Sequence, residues 1–177
     1  MAYPPRKQCE GNVYHVIARG VGQQIIFEDD ADRNQFMSLL EKSCQENDIA
    51  IWAWCLMENH VHLLLHAPIT TISGVMQTIQ SSYAIRFNKR HGRKGSLFQG
   101  RFTSIPIEND SQLATVVRYI HLNPVKPGGK LMSPWSSFQA FVNGTTTDLR
   151  GTELIFELFG GKKGFEVSHV EAANTIA

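Results

Sequence analysis

The spacing of hydrophobic positions changes several times along this chain, and each change predicts an element. Asn12 to Arg19, NVYHVIAR, has the β-branched and aromatic content of a strand, and the glycines at 20 and 22 permit a turn behind it. From Asp30 to Asn47 the period lengthens: Phe36, Leu39, Leu40 and Cys44 recur at helical spacing, with Arg33, Glu41 and Lys42 elsewhere on the surface. Ile49 to Met57, IAIWAWCLM, is apolar on both faces, as in a strand covered on both sides or central to a sheet. Glu58 and Asn59 break the run before His60 to His66 resumes it, so the economical arrangement is an antiparallel hairpin.

A second helix is predicted from about Ile72 to Arg90, with Ile72, Val75, Met76, Ile79, Tyr83 and Phe87 as its buried stripe and the basic loop HGRKG at its end. Arg101 to Ile107, RFTSIPI, reads as a strand that Pro106 confines to an edge or an end. Asn109 to Asn123 is the third helix, opened by Asn109 with Gln112 three residues on and stopped by Pro124. The order β, α, β, β, α, β predicts an α+β fold: a ferredoxin-like (RRM-like) antiparallel sheet with helices packed on one face. Beyond about Ser137 the signals weaken, giving a domain over residues 1–142 and a C-terminal extension over 143–177 that is partly flexible.

Composition narrows the class. A chain of 177 residues that is 42% hydrophobic suits one domain with a real core. No stretch approaches the roughly 18 to 20 apolar residues of a membrane span, and MAYPPRKQCEG lacks the apolar core of a signal peptide, so the expected location is the cytoplasm, with no membrane partner. Cys9, Cys44 and Cys55, widely spaced, suggest neither a disulfide framework nor a paired-cysteine metal site. The net charge of +1 conceals an asymmetry. No Asp or Glu occurs from Ala67 to Ile107, while Arg86, Lys89, Arg90, Arg93, Lys94 and Arg101 all fall there. Such a run is either a solvated helix end and loop or a surface for nucleic acid.

Three stretches carry candidate chemistry. In the strand HVHLLLH, Val61, Leu63 and Leu65 share one face, while His60, His62, Leu64 and His66 share the other. Two imidazoles one residue apart on a strand are about 7 Å apart at the backbone, a gap that their ring nitrogens can close onto one metal ion. The same spacing also suits two hydrogen-bonded or surface histidines. In RYIHLNPV, Tyr119 and Asn123 lie on one helical face, at the margin of the stripe Leu113, Val116, Val117 and Ile120, and either could simply be a boundary or helix-end residue. In RFNKRHGRKGSLFQGRF, cations interleave with Phe87, Phe98 and Phe102; Phe87 fits the buried stripe, which leaves Phe98 and Phe102 as candidates to stack on bases.

Together ENHVHLLL, FNKRHGRKGSLFQGRF, VRYIHLNPVKPG and WSSFQAF, in that order, resemble the single-tyrosine HUH transposases, most closely the REP-associated (IS200-like) tyrosine transposases, over roughly Val13 to Phe141. The resemblance implies an enzyme that cleaves and rejoins single-stranded DNA, with REP-like hairpins as the expected target. It implies that His60 and His62 bind Mg²⁺ or Mn²⁺, that Asn123 completes the metal shell, and that Tyr119 attacks the scissile phosphate to leave a 5′-phosphotyrosine link and a free 3′-OH. It also assigns single-stranded or hairpin DNA as the partner of Arg86, Lys89, Arg90, Arg93, Lys94, Phe98 and Arg101, with the protein acting as a monomer or homodimer. The chain has no room for the helicase that replication initiators carry. Two other readings use the same residues: a non-catalytic binder of single-stranded nucleic acid, and a metal-dependent phosphodiesterase in which water attacks.

Overall fold

The computed structural model describes residues 5–126, 128–145 and 150–176. The alternating and helical patterns become β1 (Val13–Arg19), α1 (Asp30–Glu46), β2 (Ala50–Met57), β3 (His60–His66), α2 (Ile69–Arg90), β4 (Thr103–Pro106) and α3 (Asp110–Leu122), followed by α4 (Phe138–Asn143), α5 (Thr152–Leu158) and α6 (Lys162–Ile176). The sheet runs in the order β2-β3-β1-β4, every neighbouring pair antiparallel. This is the expected ferredoxin-like arrangement. The ends of the helices are set as the sequence suggests. Asp29 accepts from the Asp32 N–H at the start of α1, and Asn109 accepts from the Gln112 N–H at the start of α3, while Gln112 Oε1 accepts in return from the Glu108 N–H.

Strand register sorts the side chains onto two faces. Tyr14, Val16 and Ala18 lie opposite Leu65, Leu63 and Val61, and all six are at most 1% exposed. The two crossover helices α1 and α2 cover this face, contributing the buried Phe36, Leu40, Ile72, Met76, Ile79 and Tyr83 to the same core. The other face carries His15, Ile17 and Arg19 opposite Leu64, His62 and His60. There α3 packs instead, with the Tyr119 ring against His62 and His15. The helices of the βαββαβ unit thus share one face as expected, and the third helix occupies the opposite one, where the histidines are.

The C-terminal stretch carries more regular structure than its weak periodicity suggests. Within it, Ile155, Phe165 and His169 are fully buried, and α5 and α6 pack on α3. The weak periodicity there has a simple cause: short aromatic helices separated by Gly160 and Gly161 give little periodic signal. The segment before α4 covers the outer edge of β2: Leu56 N–H donates to the Trp135 carbonyl at 2.8 Å and Ser137 N–H to that of Trp54 at 3.0 Å. The edge is therefore capped from Trp54 to Leu56. No helix among the described residues is long and apolar enough to cross a membrane.

Candidate active site

His60 and His62 project from β3 with ring centroids 4.8 Å apart, so the period of the strand does bring them together. His62 is fully buried, and its Nδ1 lies 2.9 Å from His15 Nε2. His62 Nε2 is a buried atom with no hydrogen-bond partner, and in the tautomer in which Nδ1 donates to His15 it carries the lone pair. His60 is half-buried, and its Nδ1 lies 2.6 Å from Asn59 Oδ1. The orientation of that amide follows from its other end, where Asn59 Nδ2 donates to the Gln23 carbonyl at 3.3 Å. The Asn59 oxygen must therefore accept from His60 Nδ1–H, which again leaves the lone pair on Nε2.

Both rings thus spend Nδ1 on a protein partner and keep Nε2, the arrangement that orients imidazoles toward a metal. Their protonation states agree. Burial pushes His15 and His60 down to about 4, with Arg19 adding at His60. Burial pushes His62 to about 2, and His15, His60, Arg19 and Lys126 add to the effect. Neutral imidazole is the form that ligates. The two Nε2 atoms are the candidate ligands for a divalent cation; among the described residues no set of three His, Cys, Asp or Glu side chains could hold one.

Tyr119 reaches the same place from α3. Its ring meets that of His62 edge-on at 5.3 Å and that of His15 at 5.8 Å, and it is 38% exposed, so a large substrate can reach it. The Lys126 ammonium lies 4.0 Å above the ring. Asn123 is buried at 6% exposure and turns back on its own helix, its Nδ2 donating to the Tyr119 carbonyl at 2.7 Å. Only its amide oxygen remains available to a cation. Tyr83 is a core residue: it is fully buried and its hydroxyl donates to the Ile26 carbonyl at 2.5 Å. His66 lies outside the pair, stacked on Trp52 at 5.0 Å.

The basic segment divides. Arg86, Lys89, Lys94 and Arg101 are exposed. Arg90 instead clamps α2 to the start of α1 through Asp29 and the fully buried Asp32, and Arg93 bonds Gln24 Oε1. Phe98, expected to stack on bases, is buried at 6% exposure beside Tyr83, with the ring centroids 6.2 Å apart. Phe102 is as deeply buried and lies beneath the Arg6 guanidinium at 3.5 Å. These aromatics anchor the loop because they complete the core under it. Arg6 and Arg101 line a cleft of about 800 Å³ between α2 and residues 95–102.

Comparison with known proteins now bears on this geometry. The family described as "Transposase IS200 like" matches residues 9–123, the span from the first strand to the end of α3. The chain belongs to the IS200-like transposase family. A curated protein of Haemophilus influenzae, provisionally named REP-associated tyrosine transposase, is 27% identical over 115 residues, which is 54% of this chain and 60% of that relative's length. A solved structure of a REP-associated tyrosine transposase bound to a REP hairpin superposes with a TM-score of 0.66 at 21% identity, covering 81% of this chain and 86% of that one. At that identity the superposition bears on the fold. Within this IS200-like transposase, sequence reasoning missed His15, Asn59 and Lys126. The strand alternation of NVYHVIAR places His15 with Arg19, but only the register of β1 on β3 brings it to His62.

Proposed function

We propose that this transposase cleaves and rejoins single-stranded DNA next to a hairpin, through a covalent link between Tyr119 and a 5′-phosphate, with Mg²⁺ or Mn²⁺ held by His60 and His62. One observation carries the reading. The buried His62 Nε2 has no partner, and the ring that bears it meets the accessible ring of Tyr119 at 5.3 Å. The hairpin is proposed because the REP-associated relative of known structure is bound to one.

In this reading the Tyr119 oxygen attacks phosphorus, an O–P bond forms, the bond to the 3′ oxygen breaks, and the phenol proton passes to solvent while the leaving 3′ oxygen takes one up. A second 3′-OH reverses the exchange, so strands are rejoined without ATP. A divalent cation on the two imidazoles supplies Lewis-acid stabilisation of the phosphate and of the leaving oxygen, which a phenol attacking near neutral pH requires. His15 and Asn59 hold the two rings with Nε2 free, α3 presents Tyr119 from a rigid base, and Asn123 offers its amide oxygen as a further ligand.

The test is an oligonucleotide carrying a REP-type hairpin and its flank, incubated with the protein and Mn²⁺ and run on a denaturing gel. A covalent adduct forms with the native chain and is absent from Tyr119→Phe. An adduct that survives that substitution overturns the assignment of the nucleophile. Binding without any adduct, unaffected by His60→Ala, returns the chain to the class of non-catalytic binders.

A further inference from the structure

The site combines neutral ligands with fixed positive charge. Arg19 is the register partner of His60 across β1 and β3, so both side chains leave the same face of the sheet. Lys126 stands 4.0 Å over the Tyr119 ring, which itself touches His62. Among the described residues neither cation is paired with a carboxylate, in contrast to Arg90 with its two aspartates. No acidic group joins the histidines in a metal-holding set among those residues either. An arriving divalent cation therefore meets two uncharged imidazoles and two like charges, an arrangement that resists it.

A phosphodiester reverses that balance. Placed between Arg19 and Lys126 next to Tyr119, its anionic oxygens neutralise the fixed charge and add oxygen ligands of the kind Mg²⁺ and Mn²⁺ prefer. We infer that Arg19 and Lys126 bind the scissile phosphodiester and make metal loading conditional on DNA, the strand itself supplying the negative charge that the protein's ligands lack. The inference rests on the proposed metal-dependent cleavage. It adds that the empty-handed enzyme holds metal weakly and the DNA-bound enzyme holds it well. Linkage makes the effect reciprocal: metal tightens DNA binding by the same factor. Premature loading, and with it nicking of strands that do not seat a phosphate in this pocket, is thereby suppressed.

Mn²⁺ binding to the full chain carrying Tyr119→Phe, which forms no adduct, tests this without any activity readout. Free Mn²⁺ is followed by its paramagnetic resonance signal, with and without saturating oligothymidylate, and the same titration on a chain that also carries His60→Ala subtracts metal bound by DNA alone. The expected result is a Kd for Mn²⁺ lower by about tenfold or more when DNA is present, a coupling of ordinary size. Adding Lys126→Met, or Arg19→Met, tightens Mn²⁺ binding to the DNA-free protein and shrinks the effect of DNA, two changes of opposite sign, while Lys126→Arg keeps the native pattern. Equal Mn²⁺ affinity with and without DNA overturns the inference and leaves the metal-dependent reading standing. Mn²⁺ that binds in neither state overturns both.

Discussion

His60 and His62 differ from the other buried histidines in which ring nitrogen remains unspent. His121 and His169 use both: His121 Nδ1 lies 3.0 Å from His169 Nε2, His121 Nε2 lies 2.9 Å from Ser137 Oγ, and His169 Nδ1 lies 2.7 Å from the Phe165 carbonyl. They form a closed chain of neutral rings with a structural role. In the proposed metal site the pair depends on two partners of a different kind, so Asn59→Ala, which releases His60 Nδ1, is expected to weaken Mn²⁺ affinity by about 10- to 100-fold with little change in thermal stability. A metal titration beside a melting curve checks this, and an unchanged affinity would remove Asn59 from the site. The shared strand face of His60 and His62 and the place of Tyr119 at the margin of a helical stripe were legible in the sequence, because periods of two and of 3.6 residues settle them. His15 and Lys126 were not, since one depends on pairing between strands distant in sequence and the other on a turn beyond a helix end.

At the scale of elements, the turn after β1 ties the hairpin to the site. Gly20 N–H donates to the Asn59 carbonyl at 2.9 Å, and a Cβ at Gly20 would stand 2.2 Å from the Gln24 carbonyl oxygen. Gly20→Ala must therefore shift the turn whose Gln23 carbonyl orients the Asn59 amide. The expected cost is about 1–3 kcal/mol, read from the urea midpoint, together with a loss of Mn²⁺ affinity. The cations around α2 divide along the same structural lines. Arg90→Met is expected to lower the urea midpoint and leave oligonucleotide affinity nearly unchanged, because it unclamps α1 from α2. Lys89→Ala and Arg86→Ala do the reverse, weakening binding and flattening its dependence on salt. Equal effects on binding from all three substitutions would count against the division. The helices and strands themselves were readable from hydrophobic spacing and caps. The assignment of cations was not, because Asp29 and Asp32 lie far from Arg90 in sequence, and neither was the burial of Phe98, because burial is decided by what covers a loop.

The whole molecule carries an acid sensitivity that follows from its histidines. His15, His60 and His169 titrate at about 4, His62 at about 2, and His121 well below its ordinary value, all chiefly through burial. In the unfolded chain these groups titrate near 6.5. Between the two values the unfolded state binds more protons, so stability is at its full value above about pH 6.5 and falls as the pH drops toward 4. Melting temperatures recorded across that window should fall steadily, and a flat profile would contradict the burial of these rings. Arg90 holds the Asp29 carboxyl down by contrast, and at Asp32 the hydrogen bonds from His91, the Glu28 N–H and Arg90 outweigh burial and hold it down as well, so their contribution is lost only at lower pH, below the ordinary carboxylate range.

The layering of α3 has one more consequence. The helix is held from both sides: Tyr119 faces the sheet, while His121, two residues on, is locked to α6 through His169. The aim of the proposed nucleophile is thus set from behind, by a part of the chain that touches neither His60 nor His62. Phe165→Ala removes a fully buried ring from that backing, at an expected cost of about 3–5 kcal/mol. In such a variant the two histidines keep their partners on the strands, yet strand cleavage slows, since a displacement of about 1 Å can cost a hundredfold in rate. On the proposed mechanism a substitution in the last helix would then present itself as an enzymatic lesion with the two histidines intact, the C-terminal helices acting as the mount on which Tyr119 is trained.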